Sequence, residues 1–251
     1  MIEFEHTETM GWEAAIRGMR NPHNSWDKSD SKYLRQEDGH IIASRYEVGP
    51  NDHDLMMRLV KAGTDHRKFM RMIVVYVDVT APLYWWKEFK TYRAGKRWGD
   101  EEPDAFVIPS DYLEYDIEMN SCSTMHSIHK KPFFVDDFSC EDILDSCDRP
   151  LISARWKERV DWSPYEVFCT IVGLLNRCRE MYLETGEKIW WRQIIQFLPS
   201  NYNQRRTLML NYEVLANIYR ARRNHKLTEW REFCHWIETL PYSELITGGA
   251  E

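Results

Sequence analysis

Ile73-Val74-Val75-Tyr76-Val77-Asp78-Val79-Thr80-Ala81-Pro82 is the stretch whose reading decides the fold. Five of its first seven residues are Ile or Val. Such β-branched side chains lose rotamer freedom in a helix and pack well on a pleated surface. Asp78 is the first charged residue to interrupt them, so the stretch predicts a mostly buried strand that alternates only near its end. Pro82 has no amide to donate and stops the strand, and Leu83 to Lys90 opens a helix. Upstream, Asn51 or Asp52 caps a helix carrying Leu55, Leu59 and Val60, which Gly63 interrupts. His40 to Val48 (HIIASRYEV) reads as a further strand and Gly11 to Met19 as a short helix. Turn signals at Asn21-Pro22 and Asn24-Ser25-Trp26-Asp27 fill the segment between that helix and Asp30.

Downstream, Arg97 to Met119 gathers eight acidic residues with Pro103 and Pro109. It reads as an acidic surface insertion with a short strand at Phe106-Val107-Ile108. The C-terminal part reads as helical. Ser163-Pro164-Tyr165-Glu166 joins a cap, a first-turn proline and a capping-box glutamate, with Val167, Ile171, Leu174 and Leu175 behind it. Further helices are predicted over Glu187 to Leu198, Gln204 to Arg223, and from a Thr228 cap to Leu240. The pattern gives an α+β fold class, read as one domain over residues 1–251.

Composition narrows the function. The 251 residues are 43% hydrophobic and 29% charged, ordinary for a globular protein. The net charge of -7 argues against a dedicated nucleic-acid binder, because such proteins carry a basic excess against phosphates. The six cysteines form no C-x-x-C pair, and no H-E-x-x-H occurs among the nine histidines, so no metal site is expected. No apolar run is long enough to span a membrane. The N-terminus shows no signal-peptide pattern, and the expected location is cytoplasmic. Eleven tryptophans call for a tight core or a subunit interface, and Trp85-Trp86 and Trp190-Trp191 read as anchors of that kind.

Three segments carry polar chemistry. The first is Ala62 to Phe69 (AGTDHRKF), just before the central strand. The second is Trp85 to Arg93, resumed at Asn120-Ser121-Cys122-Ser123-Thr124-Met125-His126. The third is Leu198 to Thr207, followed by Asn211, Asn217 and Arg222. The hydroxyls of the second segment suit a phosphate or a pyrimidine edge, or serve as a helix cap. Cys122 and His126 share a side if that segment is helical. On one helix, Asn211 and Asn217 sit about 120° apart and Arg222 about 140° further, so one ligand reaches all three only across the helix or between subunits. The alternative is a solvated charged face. Arg205, Arg206, Arg220, Arg222 and Arg223 concentrate positive charge in an acidic chain, and arginine forks suit phosphate.

Taken in order, the three segments resemble the flavin-dependent thymidylate synthases. That family carries G-H-x-[ST] before a strand and a proline, then Q-x-x-R-H-R-x-x-S-x-N-E-x-S-x-R. An L-P segment and an N-x-R-x-L-x-N-x-x-x-x-R helix come later. Here the counterparts are His66, Pro82, Tyr92-Arg93, Asn120 to Ser123, Leu198-Pro199, and Asn211 to Arg222, while Ala14-Ala15-Ile16-Arg17 is similar to the family's first helix. The resemblance implies a central antiparallel sheet with flanking helices and a helical C-terminal half. It implies a homotetramer that binds FAD and acts on carbon 5 of a pyrimidine deoxynucleotide such as dUMP. NADPH and methylene-tetrahydrofolate are the implied co-substrates. His66, Lys68, Arg93, Asn211 and Asn217 would lie near FAD. Glu88, Tyr92, Ser121, Ser123 and Arg222 would meet the substrate, with Ser123 and Arg222 as the implied catalytic pair. The sequence departs from the pattern where the signature glutamate is Ser121, a phosphate-binding arginine is Met125 and the leading glutamine is Glu88. These departures leave a second expectation, a catalytically inactive FAD- and nucleotide-binding paralogue.

Overall fold

The structure is a computed structural model and describes residues 2–35, 41–90, 117–146, 151–152, 159–160 and 162–248. In chain order its elements are β1 (Glu3–Met10), α1 (Trp12–Arg20), β2 (Lys32–Arg35), β3 (Ile41–Glu47), α2 (Pro50–Lys61), β4 (Val74–Pro82), α3 (Leu83–Phe89), β5 (Glu118–Ser121), β6 (Leu151–Ile152), β7 (Arg159–Val160), α4 (Pro164–Thr185), α5 (Lys188–Phe197), β8 (Asn203–Asn211), α6 (Tyr212–Arg222), α7 (Thr228–Glu238) and α8 (Glu244–Thr247). The class is α+β with an antiparallel sheet. The described residues group into two compact units: one from 2–79, 88–120 and 206–251, the other from 80–87 and 121–205.

A four-stranded sheet runs in the order β1-β4-β8-β5. The central reading of β4 needs a correction. Burial alternates from Val74 to Ala81, with Val75, Val77, Val79 and Ala81 buried and Val74, Tyr76, Asp78 and Thr80 partly exposed. Only one face is covered within the unit, and β-branched residues occupy both. β1 lies at the sheet edge, and its sequence EFEHTETM carries three glutamates, a composition that discourages edge-to-edge pairing. The turn into α1 depends on Gly11. Its φ is 93°, and a Cβ there would meet the Met72 carbonyl oxygen at 2.0 Å.

The larger correction concerns residues 204–223. The expected single helix is a strand, β8, followed by a helix that begins at Tyr212. Gln204, Arg206, Leu208 and Leu210 alternate on the buried face of β8. Two polar residues in that register hide the strand's apolar period. α2 is also capped differently from expectation. Its N-cap is Gly49, and the carboxylate of Asp30 accepts from the amides of Asn51 (2.9 Å) and Asp52 (3.1 Å). α7 starts at Thr228 with Leu227 as its N-cap. Glu118 and Met119, expected in the acidic insertion, belong to β5. The rest of the insertion before Ile117, with the Phe106–Ile108 strand, lies outside the described residues.

In the smaller unit the Ser163 capping box forms as predicted. Ser163 Oγ accepts from the Glu166 amide at 3.1 Å, and Glu166 Oε2 accepts from the Ser163 amide at 2.6 Å. α4 buries Phe168, Val172, Leu175 and Cys178 against Phe133, Phe138 and Ile194. Leu174, expected in that stripe, is exposed. Trp85 and Trp86 are fully buried, with ring centroids 4.8 Å apart, and the Trp86 indole donates to the Gln204 carbonyl at 2.9 Å. Trp190 and Trp191 pack partly buried against the same cluster. No helix among the described residues is long and apolar enough to cross a membrane.

Candidate functional site

In the larger unit the chain leaves α2 through Gly63, whose φ is 101°. The Gly63 carbonyl then accepts from the amides of His66 and Arg67, each at 3.1 Å. This turn puts His66 and Lys68 in solvent and turns Arg67 inward, where it is 6% exposed. α6 supplies the opposing groups. Asn211 ends β8, and its Oδ1 caps α6 by accepting from the Val214 amide at 3.0 Å. That side chain is buried, so its role here is a helix cap. Glu213, Asn217 and Arg220 follow at i, i+4 and i+7 and share one flank of α6. Arg222 stands about 140° from Asn217 and faces elsewhere.

The flank of α6 that carries Glu213 meets two arginines. Arg67 Nε lies 3.6 Å from Glu213 Oε1, and Arg71 donates from Nε to Glu213 Oε2. Arg67 Nε nonetheless has no hydrogen-bond partner. Beside it opens a cleft of about 890 Å³ lined by Met57, Val60, Lys61, Gly63, Thr64, Arg67, Arg220 and Gly248. Burial, and then the charges of Arg67 and Arg223, push the Arg220 guanidinium below its usual range.

The other side of α6 brings two expected residues together. Arg222 Nη1 lies 3.6 Å from Glu88 Oε2, and its guanidinium sits 4.8 Å from the Trp230 ring centroid. The Trp230 indole donates to the same Glu88 oxygen at 2.8 Å. Arginine, carboxylate and indole therefore hold one another, with Glu88 still partly open to solvent.

Ser121 and Ser123 belong to the smaller unit. Ser121 is exposed at the end of β5. Ser123 Oγ accepts from the amides of Met125 (3.2 Å) and His126 (2.9 Å), which makes a local turn where the alternative reading expected a helix cap. Residues 122–127 are not helical, which removes the expected pairing of Cys122 with His126 by helical spacing. Cys122 is exposed and unpaired, and its amide donates to the Arg205 carbonyl at 3.0 Å. The L-P segment is fastened structurally. Ser139 donates its amide to the Asn201 carbonyl at 2.9 Å and its hydroxyl to Asn203 Oδ1 at 2.8 Å. Thr91, Tyr92 and Arg93 lie outside the described residues.

The expected residues thus separate. Glu88 and Arg222 meet, whereas His66, Lys68 and Asn217 do not contact them among the recorded bonds. Sequence reasoning missed Lys61, Arg71 and Trp230, took Arg220 only as part of a cationic group, and gave no separate role to Arg67 or Glu213. One signal was available. The family's helix pattern has arginine as its third residue, and here that place is Glu213. Among the described residues no group of three His, Cys, Asp or Glu is placed to hold a metal ion.

No protein-family model matches the chain, and no curated protein matches it in sequence. Solved structures do resemble it in fold. Thymidylate synthase X from Helicobacter pylori, solved with FAD and dUMP, is 14% identical with a TM-score of 0.59, over 100% of this chain and 98% of that one. A second structure of the flavin-dependent thymidylate synthase from Helicobacter pylori, complexed with FAD and dUMP, is 14% identical with a TM-score of 0.57, over 97% and 95%. A UMP/dUMP methylase from Streptomyces cacaoi bound with 5-bromo-dUMP is 13% identical with a TM-score of 0.53, over 99% and 94%. The chain has the fold of these enzymes from end to end.

Proposed function

We propose that this protein binds FAD and acts on carbon 5 of a pyrimidine deoxynucleotide, dUMP or an analogue. The observation that carries the reading is the full-length likeness in fold to enzymes solved with FAD and dUMP. The chain's own groups fit such ligands. A flavin dinucleotide carries two phosphates, and the larger unit lines a cleft with the cationic side chains of Lys61, Arg67 and Arg220. Bound there, a flavin would supply the hydride that carbon-5 methylation requires. Arg222 holds a polar edge of the substrate, Glu88 and Trp230 fix its orientation, and Ser121 and Ser123 offer hydroxyls to the nucleotide. His66, Lys68, Arg93 and Asn217 complete the cofactor set and Tyr92 the substrate set, with Asn211 acting through the start of α6 that it caps. NADPH as reductant, methylene-tetrahydrofolate as carbon donor, a homotetramer and a cytoplasmic location belong to the same proposal.

The test is direct. Purified protein should show an oxidised-flavin spectrum, or acquire one with added FAD. With FAD, NADPH and the folate it should release tritium from carbon 5 of dUMP. Arg222→Ala should lower kcat/KM at least about tenfold, the loss of one charge-assisted contact. A colourless protein that rejects FAD overturns the reading.

A second reading has its own support: an inactive FAD- and nucleotide-binding paralogue. Glu213, Ser121 and Met125 stand where the family pattern has arginine, glutamate and arginine, and Ser123 Oγ is taken up by its own turn. This reading expects flavin binding without tritium release, and any dUMP-dependent release removes it.

A further inference from the structure

We propose that the cavity between the β1–α1 turn and the β2–β3 hairpin is a binding site for an organic cation, with a quaternary or methylated ammonium head group as its ligand. The cavity lies wholly within the larger unit. None of its lining residues belongs to the cofactor or substrate sets above, so it stands or falls apart from the flavin reading.

Its volume is about 740 Å³, the size of a small-molecule site. Three aromatic rings line it. Tyr33 and Tyr46 are cross-strand partners on β2 and β3, and their rings stand 4.8 Å apart at 78°. Two rings at right angles make a corner. Trp12 adds the third ring, and edge contacts to Tyr212 (5.3 Å, 85°) and Tyr242 (5.1 Å, 66°) hold it in place. The turn behind it is fixed by Gly11, which touches the Met72 carbonyl too closely to carry a side chain. Met10 and Leu34 add apolar surface, and Met10 is 44% exposed.

Charge selects among the ligands that such a cavity could take. Among the described residues Glu8 is the one charged group in the lining, and no Lys, Arg or His joins it. The Tyr33 hydroxyl donates to Glu13, and burial and then Glu13 raise the Tyr33 phenol, outweighing Arg17. Burial first, then Glu13 and Asp52, push Tyr46 up to about 12. Both phenols therefore sit in a negative field. Arg17 and Lys32 are themselves paired, with Glu13 at 3.3 Å and Glu47 at 3.9 Å. Aromatic faces carry negative charge density and attract a cation that sheds its water readily. A bare ammonium is strongly hydrated, whereas methyl groups weaken that hydration and pack on rings and on Met10. An anion would meet Glu8 without any counter-charge in the lining.

Ligand-observed NMR or calorimetry on the full chain, with choline and its uncharged isostere 3,3-dimethylbutan-1-ol, separates a cation site from a merely apolar cavity. Choline should bind with a Kd of about 1 mM or below, and the alcohol at least about fivefold more weakly. Tyr33→Leu and Glu8→Gln, both at exposed positions, should each weaken choline binding at least about threefold. Glu8→Gln should leave the alcohol within about twofold. Glu180→Gln, an equal charge loss on α4, should leave choline binding unchanged. An alcohol that binds as tightly as choline overturns the cation assignment. Wild-type protein that ignores choline at about 10 mM, or variants that bind it unchanged, overturn the site. Either exposed variant keeps the test valid if the other unfolds.

Discussion

Arg20 and Arg67 are both buried arginines in the larger unit, and each faces a carboxylate, yet they are built in opposite ways. Arg20 spends its donors inside the fold. Its Nε meets Asp52 at 2.6 Å, Nη1 donates to the carbonyl and hydroxyl of Ser25, and Nη2 donates to the Lys28 carbonyl. Asp52, fully buried, also accepts from Ser29, Ser31 and two loop amides. Every partner there comes from residues 20–31 or α2, so the cluster staples the N-terminal loop to the helix. Arg67 stands 3.6 Å from its acid, leaves Nε unpartnered and borders a cleft. A closed cluster spends its donors on the fold; the open one leaves a donor without a hydrogen bond.

The largest expected effect tests the closed cluster. Asp52→Ala strands a buried guanidinium and should cost about 3–5 kcal/mol in denaturant unfolding. A loss below about 1 kcal/mol would end the view of Asp52 as a staple. Acid should erode the same cluster. Burial opposes the charged carboxylate, but bonds from Ser31, Ser29 and Arg20 outweigh it and hold Asp52 below its ordinary range. A depressed folded value stabilises above the unfolded value of about 4 and is lost as pH falls through the folded one. The melting temperature of wild-type protein should therefore fall below about pH 4, and Asp52→Asn should flatten that limb. An identical acid limb in both proteins assigns it to other carboxylates.

Arg67→Met should be milder, below about 2 kcal/mol, because Glu213 keeps Arg71. A cost equal to that of Asp52→Ala would erase the contrast between the two arginines. Ser163→Ala, which removes a capping box in the smaller unit, gives a calibration at about 1 kcal/mol. Arg177→Ala breaks an exposed pair with Glu180 and should stay within about 0.5 kcal/mol, setting the floor against which the others are judged.

How far the sequence disclosed all this depends on the kind of signal. β4 and the Ser163 cap were legible because each is written in consecutive residues. β8 was not, because Gln204 and Arg206 occupy buried positions that a hydrophobic pattern assigns to solvent. Burial pushes the Arg206 guanidinium down to about 10, a measure of how unusual that placement is. For the candidate site, the motif order located Glu88 and Arg222 but not their contact. The helix-face argument holds for Asn217 and Arg222 but not for Asn211, which ends a strand and caps the helix instead of lying within it.

By itself the sequence determined the α+β class, the β4–α3 turn at Pro82, the capped α4 and the positions where the family pattern is broken. These follow from backbone preferences and local hydrogen bonds that act over a few residues. Only the tertiary structure decided which arginine is stapled and which is left open, and that Glu213 serves Arg67 and Arg71. Those outcomes depend on pairing side chains 32 residues apart for Arg20 and Asp52 and 142 apart for Arg71 and Glu213, and chain spacing carries no record of which distant charge arrives to meet which.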